Sequence, residues 1–121
     1  MNSPVENVLQ AALRGLNLRQ RVTANNIANA DTPGFKAQTV RFEDKLSQAL
    51  GEAGDGVALQ DAAAPEVDTV AGRVGKADQN SVDLDQQLLT MTDTNLQYNA
   101  VAQAVSARLA LYRSIVTDGK A

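Results

Sequence analysis

The chain has 121 residues, enough for one small domain, and its formal net charge of −3 argues against strong binding to nucleic acid. It lacks cysteine and histidine, which excludes disulfides, thiolate metal sites and the commonest general base of enzymes. Hydrophobic residues make up 44% of the chain but aromatic residues only 3%, so a self-contained core would be thin, and we expect a long helical element, an assembly subunit or a partly disordered chain.

A long helix is predicted over residues 4–30. Its start has a serine N-cap, a proline at the first helical position and the glutamate of a capping box, at Ser3, Pro4 and Glu6. Apolar or small residues then recur at steps of four and three, with Gln20 as a polar interruption: Val5, Leu9, Ala12, Leu16, Thr23, Ile27 and Ala30. This spacing is typical of a coiled-coil seam, so we expect a second helix to cover it. Gly15 weakens the helix by about 1 kcal/mol relative to alanine, unless a neighbour packs closely there.

Polar residues weaken the last turns of this helix, and a turn then stops it. Three asparagines stand there: Asn25, Asn26 and Asn29. Asparagine disfavours helix interiors because its side chain competes for backbone hydrogen bonds. Pro33 forces Thr32 out of the helical region, and Pro33 with Gly34 fits the centre of a type II turn, where glycine supplies a positive φ.

The middle of the chain, residues 31–80, is expected to contain this turn, a short helix over 42–50 that Gly51 ends, and a variable loop. Residues 51–80 are rich in glycine, alanine and aspartate and show no sustained period, so we interpret them as loop or disorder with short extended pieces at 57–59 and 65–70. Residues 51–93 carry nine acidic and two basic side chains. This surplus indicates either a solvated acidic loop or head-to-tail complementarity between copies.

The strongest pattern predicts a second long helix over residues 83–117, about 50 Å long. Its seam steps by four and three through more than four heptads: Leu84, Leu88, Met91, Asn95, Tyr98, Ala102, Val105, Leu109, Tyr112 and Val116. A second apolar stripe widens this face: Leu89, Leu96, Val101, Leu111 and Ile115. The helix is therefore expected to touch more than one neighbour. The two tyrosines of the seam either pack in a core or find hydroxyl partners in neighbouring subunits.

These elements predict an all-α protein of one structural domain, in which two long terminal helices form a coiled-coil-like hairpin. The N-terminal helix occupies residues 1–30, the turn, short helix and variable loop occupy 31–80, and the long C-terminal helix occupies 81–121. The middle segment is expected to be irregular, partly disordered or extended. The second stripe and the asparagine-rich helix end must be buried outside the hairpin.

No motif indicates a catalytic, metal or cofactor site. Segment 78–89 has Val82, Asp83 and Leu89 where a calcium loop needs an oxygen ligand, a glycine and a bidentate glutamate. No apolar run approaches the roughly 20 residues of a membrane span, and the N-terminus lacks the pattern of a cleavable secretory signal. We expect no enzyme, no small-molecule substrate and no direct membrane insertion, in a chain that is cytosolic or exported without a cleavable signal.

Two segments next to the long helices carry a family resemblance. The first, NNIANADTPGFKA at 25–37, contains an N-I-A-N-x-x-T-P-G-[YF] signature: Asn26, Ile27, Ala28, Asn29, Thr32, Pro33, Gly34 and Phe35. The second, at 78–100, opens with Asn80, Val82 and Leu84 in an N-x-V-x-[LI]-x-x-[EQ] pattern. Both resemble the flagellar axial proteins, and among these the basal-body rod proteins, over half to two thirds of the chain. Gln87 stands where that family often has glutamate.

The resemblance implies a structural subunit of the flagellar drive shaft, in the proximal rod that joins the MS ring to the distal rod and hook. Such subunits assemble through their terminal helices with copies of themselves, with other rod proteins and with the MS-ring/rod adaptor protein. They pass unfolded through the flagellar type III export apparatus, without a cleavable signal peptide. Their place is the flagellar basal body, in the rod that spans the periplasm.

The resemblance also implies that the signature residues act in assembly. The three asparagines would bond backbone groups of the following loop and of adjacent subunits, and the Thr-Pro-Gly turn would lead the chain outward. Replacing Asn29 by alanine is then expected to impair assembly while export continues. The remaining seam residues would pack against helices: Leu88, Met91, Tyr98, Val105, Leu109 and Tyr112. Two alternatives stay open, another flagellar axial protein of the rod and an unrelated coiled-coil adaptor.

Overall fold

The computed structural model describes residues 4–52, 64–70 and 77–118. Two long helices flank a short middle in this part of the chain: α1 (Pro4–Ala28), β1 (Gln38–Arg41), α2 (Glu43–Glu52), β2 (Glu66–Thr69) and α3 (Leu84–Asp118). The three predicted helices are confirmed, and each end lies within two residues of its expected position. None of the described helices is both long and apolar enough to span a membrane. The extended piece expected at 57–59 lies outside the described residues.

The helices α1 and α3 pack against each other as an antiparallel hairpin. Gln20 Nε2 on α1 donates a hydrogen bond to Asn95 Oδ1 on α3 at 2.7 Å, and Asn26 Nδ2 donates one to Gln87 Oε1 at 3.0 Å. Later residues of α1 therefore pair with earlier residues of α3, as in an antiparallel arrangement. The predicted hairpin is confirmed, and the polar residues that interrupt its two apolar seams bind each other.

A two-stranded antiparallel sheet lies between the helices in sequence, and no pattern in the sequence predicts its first strand. Gln38 of β1 stands opposite Thr69 of β2, and Arg41 stands opposite Glu66. The strand β2 falls within the extended piece expected at 65–70. The strand β1 has only four residues and buries only Val40, so its alternation is too short to be recognised.

The small apolar core lies where α1, β1 and the start of α2 meet. Leu16, Val40 and Phe42 are each at most 6% exposed. The Phe42 ring contacts α1 at Gly15, where a Cβ atom would stand 2.4 Å from the ring. The guanidinium of Arg19 covers the same ring, 4.8 Å from its centroid. The close approach of the ring therefore requires Gly15, whose weakening of the helix the packing offsets.

Candidate functional site

The two signature segments meet at one end of the hairpin and form what we call the signature junction, residues 26–38 and 78–87. Its centre is Asn80, whose side chain is fully buried. Asn80 Nδ2 donates hydrogen bonds to the carbonyl oxygens of Asn29 at 2.9 Å and Thr32 at 2.7 Å. Its Oδ1 accepts one from the backbone N–H of Val82 at 2.8 Å. One amide thus joins the turn after α1 to the segment that starts α3, at carbonyl oxygens that also accept from the N–H groups of Thr32 and Phe35.

Asn26 plays a second joining role, between α1 and the sheet. Its Nδ2 donates to the carbonyl oxygen of Gln38 at 2.7 Å, and its Oδ1 accepts from the N–H of Gln38 at 3.0 Å. The same Nδ2 also donates to Gln87 on α3. On the next hydrogen-bonding position of the strand, Arg19 Nη2 donates to the Val40 carbonyl oxygen at 2.8 Å. Side chains of α1 therefore cover the free edge of β1, in the way that a neighbouring strand would.

Backbone hydrogen bonds add to the signature junction. The N–H of Gly34 donates to the carbonyl oxygen of Asp78 at 2.7 Å, and the N–H of Ser81 donates to that of Phe35 at 3.0 Å. The Ser81 hydroxyl accepts from the N–H of Ala37 at 2.7 Å. Gly34 has a φ of 75°, the positive value that the turn chemistry predicts. The turn is therefore fixed from both signatures and not by its own sequence alone.

The remaining residues of the first signature lie nearer the surface. Asn29 Nδ2 donates to the carbonyl oxygen of Asn25 at 2.8 Å, and its Oδ1 accepts from the Thr32 hydroxyl at 3.1 Å. Thr32, Pro33 and Gly34 are exposed, while Ile27 and Phe35 are partly buried. Of the predicted asparagines, Asn26 and Asn80 thus use their amides inside the chain. The exposed Thr-Pro-Gly turn is the part of the signature that faces outward.

The seam predicted for α3 divides between an inner and an outer face. Met91, Tyr98, Ala102 and Val105 are partly buried, and the buried positions of α3 are polar: Gln87 in the junction and Thr94 between Met91 and Tyr98. The other apolar residues of the predicted seam lie outside: Leu84, Leu88, Leu109, Tyr112 and Val116 are 45%, 50%, 51%, 41% and 59% exposed. The helix therefore turns polar groups toward α1 and leaves leucines on its outside.

The outward apolar residues of α3 stand in two groups, one at residues 84–96 and one at residues 109–116, which together we call the outer face. It includes four residues of the second stripe, and only Val101 of that stripe packs in the core: Leu84, Leu88, Leu89, Leu96, Leu109, Leu111, Tyr112, Ile115 and Val116. Exposed groups of large apolar side chains on a soluble protein mark sites of protein interaction. The outer face is the candidate assembly surface of the chain.

The end of α3 extends past the beginning of α1. Extending the register of the Gln20–Asn95 and Asn26–Gln87 pairs along both helices places the start of α1 opposite about residue 110 of α3. Residues 111–118 are all exposed. These last two turns, which we call the overhang, continue the helix where α1 no longer covers it.

Charged groups fix the position of α2 against α1. Arg19 donates hydrogen bonds from both terminal nitrogens to the carboxylate of Glu43, one of them at 2.8 Å. This hydrogen-bonded pair lowers the pKa of the Glu43 carboxyl below its ordinary value of 4.5, although partial burial opposes the shift. Within the described ranges no three acidic side chains stand close enough together to hold a metal ion.

Three joining residues escape prediction as site residues from the sequence. Gln20 appears there only as a polar interruption of the first seam and Asn95 only as a member of the second, and Ser81 is not singled out. The sequence does contain a signal for the Gln20–Asn95 pair. Each of these polar residues interrupts an apolar seam, and the two positions meet when the helices pack as an antiparallel hairpin.

Comparison with known proteins agrees with this geometry. Residues 7–36 match the family model described as flagella basal body rod protein. The flagellar basal body rod protein FlgB of Salmonella typhimurium is 33% identical over 134 residues, which cover 92% of this chain and 96% of the relative. FlgB of Escherichia coli is 30% identical over 133 residues with the same coverage, and FlgB of Bacillus subtilis is 27% identical over 119 residues, 93% of this chain and 92% of the relative. The chain therefore belongs to the FlgB family of flagellar basal body rod proteins.

Proposed function

We propose that the chain works as a structural subunit of the proximal rod of the bacterial flagellar basal body, and that it assembles through its terminal helices. Membership of the FlgB family supports the rod assignment. The observation that carries the assembly mode is the arrangement of α3, which buries Gln87 and Thr94 against α1 and exposes the outer face. Because the buried positions of α3 include polar side chains, many of its large apolar side chains remain available for other subunits.

The structure of the hairpin suits a part that transmits torque. The signature junction joins α1, β1 and α3 through buried amides, and the Arg19–Glu43 pair fixes α2 to the same helix. Buried and fully hydrogen-bonded polar groups specify one arrangement of the elements, because any other arrangement leaves them without partners. We infer that the junction holds each subunit in a single shape while the outer face makes contacts between subunits.

We further propose the partners of this surface. They are other copies of the chain, other rod proteins and the adaptor protein between the MS ring and the rod, and the chain reaches them through the flagellar type III export apparatus. The Thr32-Pro33-Gly34 turn is a second contact region, because its residues are exposed at one end of the hairpin while its backbone is fixed by the signature junction. A structural and not a catalytic role follows from this assignment.

The experiment that tests the function replaces the chromosomal gene in a flagellated host. Deletion is expected to abolish swimming and the isolation of complete basal bodies, and the parent gene is expected to restore both. Asn29→Ala is expected to lower basal body yield while the protein still leaves the cytoplasm, because Asn29 orders the exposed turn. Asn17→Ala, at an exposed position of α1, is the matched control. Normal swimming and complete basal bodies in the deletion strain would contradict the proposed function.

A further inference from the structure

The exposed side of α1 carries two arginines beside a groove. Arg14 and Arg21 are exposed and stand seven residues apart, so they lie within about 20° of each other around the helix and about 10 Å apart along it. Both line a groove of about 490 Å³, which we call the basic groove. It is built by α1, by the residue before β2 and by α3, and its other walls are Asn17 and four partly buried apolar or aromatic side chains: Leu13, Leu18, Pro65 and Tyr98.

These two arginines differ from other cations near them. Arg19 pairs with Glu43, and Arg41 pairs with Asp68 across the sheet. Within the described part of the chain, no ion pair includes Arg14 or Arg21. The basic groove therefore combines two positive charges that have no ionic partner with an apolar wall, and it favours a partner that supplies both carboxylates and apolar side chains.

The composition of the groove selects a protein as this partner. Arginine and tyrosine are the residue types that contribute most often to binding energy at protein interfaces. A nucleic acid or an anionic membrane binds to larger clusters of cations, and this chain has a formal net charge of −3. Two arginines about 10 Å apart instead match two separate carboxylates on one protein surface.

The spacing of the arginines indicates that the carboxylates belong to a helix. A helix that lies along α1 carries side chains seven residues apart on one side, at the same separation of about 10 Å. Its apolar residues three and four positions after the first carboxylate then face the groove. An extended strand covers this distance in about three residues, but residues three apart on a strand point to opposite sides.

The described helices of this chain do not contain the matching pair. In α1 the only acidic residue is Glu6, and no two acidic residues of α2 or of α3 stand seven positions apart. Glu66 and Asp68 of β2 already pair with Arg41. These helices in a further copy of the chain are therefore poor partners for the groove, and a different protein supplies the acidic helix.

We propose that the basic groove binds an amphipathic helix of a different protein, through two acidic side chains of that helix that stand seven residues apart. The proposal rests on the proposed function, since it assigns this groove to a partner of the rod subunit other than a further copy. Arg14 and Arg21 each bind one carboxylate, while apolar residues between the two acids contact Leu18 and Tyr98.

Synthetic peptides test the chemistry on the purified full chain. The probe is an amphipathic peptide of roughly 20 residues, long enough to form a helix, with two glutamates seven residues apart and leucines between them. The chain is expected to bind it about tenfold more tightly than the same peptide with glutamines, measured by fluorescence anisotropy at low salt. A third peptide has its glutamates five residues apart, on different sides of its helix, and is expected to bind as weakly as the glutamine peptide.

Variants of the two arginines complete this test. Arg14→Gln/Arg21→Gln is expected to bind the glutamate and glutamine peptides equally, and Arg14→Glu/Arg21→Glu is expected to prefer a peptide with lysines in place of the two glutamates. Arg113→Gln removes an exposed arginine outside the groove, and Asn17→Ala changes the groove without changing its charge. Both controls are expected to keep the preference of the parent. Equal binding of the two peptides by the parent, or a preference that persists in Arg14→Gln/Arg21→Gln, would overturn the proposal.

Swimming assays identify the partner and keep this proposal separate from the proposed function. Arg14→Glu/Arg21→Glu is expected to reduce swimming, and motile revertants are expected to replace acidic residues by lysine in another gene. Revertants whose second changes all lie in this chain would overturn the proposal.

If the deletion strain swims, the rod function fails, whatever the peptides show. If the deletion strain does not swim but Arg14→Glu/Arg21→Glu swims as the parent does, the rod function stands and the basic groove has no such partner. Circular dichroism during thermal unfolding confirms that the exposed substitutions leave the helices intact.

Discussion

Asn26 on α1 holds both backbone polar groups of Gln38 on β1, accepting from its N–H at 3.0 Å and donating to its carbonyl oxygen at 2.7 Å. A side chain of a helix thus completes the edge of a sheet. Asn26 is 1% exposed, so these hydrogen bonds form away from water. Asparagine is a poor helix former, so Asn26 weakens α1 locally while it joins α1 to β1.

Asn26→Ala is therefore expected to destabilise the chain strongly. It leaves the N–H and carbonyl groups of Gln38 and the Gln87 side chain without this partner, and we expect a loss of about 2–4 kcal/mol in the free energy of unfolding. Urea denaturation followed by circular dichroism measures it. Asn17→Ala, exposed on the same helix, is expected to be neutral or slightly stabilising. Equal stabilities of the two variants would show that the edge contact does not stabilise the fold.

Asn80→Asp is expected to make stability depend on pH. The substitution keeps an acceptor for the Val82 N–H but turns a carboxylate toward the carbonyl oxygens of Asn29 and Thr32. Burial and these carbonyls raise the folded-state pKa of the introduced group above its unfolded value. The variant is thus most stable, relative to the parent, below the unfolded pKa near 4, and it loses that stability as the pH rises through the folded pKa. Denaturation at pH 4 and pH 7 tests this, and a constant difference from the parent would contradict it.

Gly15→Ala is expected to destabilise the chain although alanine is the better helix former. The new Cβ would stand 2.4 Å from Cγ of Phe42, so the ring and the start of α2 must move. Overpacking of this kind costs about 1–3 kcal/mol, more than the helix propensity of alanine returns. Gly51→Ala in α2 is the matched control, because a Cβ there meets no atom within 4 Å, and it is expected to stabilise. Thermal unfolding of both variants measures these effects. A melting temperature for Gly15→Ala above that of the parent would contradict the close packing of Phe42 on Gly15.

Glu43→Gln is expected to flatten the acid limb of the stability curve. The hydrogen bond from Arg19 lowers the folded-state pKa of Glu43, so its contribution is fully present above the unfolded value of 4.5 and is lost as the pH falls through the lowered folded value. The Glu43 side chain is 55% exposed, so solvent screens the pair and we expect a contribution of only about 0.5 kcal/mol at pH 7. Comparison of parent and variant between pH 7 and pH 3 isolates it. Asp44→Asn, at an adjacent exposed position, is the control, and an identical loss for the parent and Glu43→Gln would contradict the assignment.

The long helices could be predicted because their apolar residues recur at steps of four and three over many turns, and because capping and turn residues stand at their ends. The capping box, the Thr-Pro-Gly turn and the ten seam positions of the last helix locate their boundaries to within two residues. The hairpin also follows, because two seams in one chain satisfy each other most simply. The strand β1 was missed, since its edge is held by Asn26 and Arg19 and not by a pattern of its own.

The inner face of α3 could not be predicted from apolar spacing alone. A seam of leucines normally marks the buried side, yet here Gln87 and Thr94 are buried and Leu88 and Leu109 are exposed. Polar side chains can be buried when they form hydrogen bonds in the folded chain, as Gln87 does with Asn26. Such partners come from distant parts of the chain, and single-sequence periodicity contains no information about them.

The position of Asn80 in the chain has a consequence for timing. The carbonyls that it binds belong to Asn29 and Thr32, about 50 residues earlier, and the partner of Asn26 on α3 comes later still. A polypeptide that emerges from its N-terminus cannot lock the end of its first helix until its final third has appeared, which takes seconds at ribosomal speed. Until then the hydrogen bonds from Asn80 and Gln87 cannot form, so the same amide that fixes the end of α1 in the finished subunit also delays this fixation until most of the chain is present.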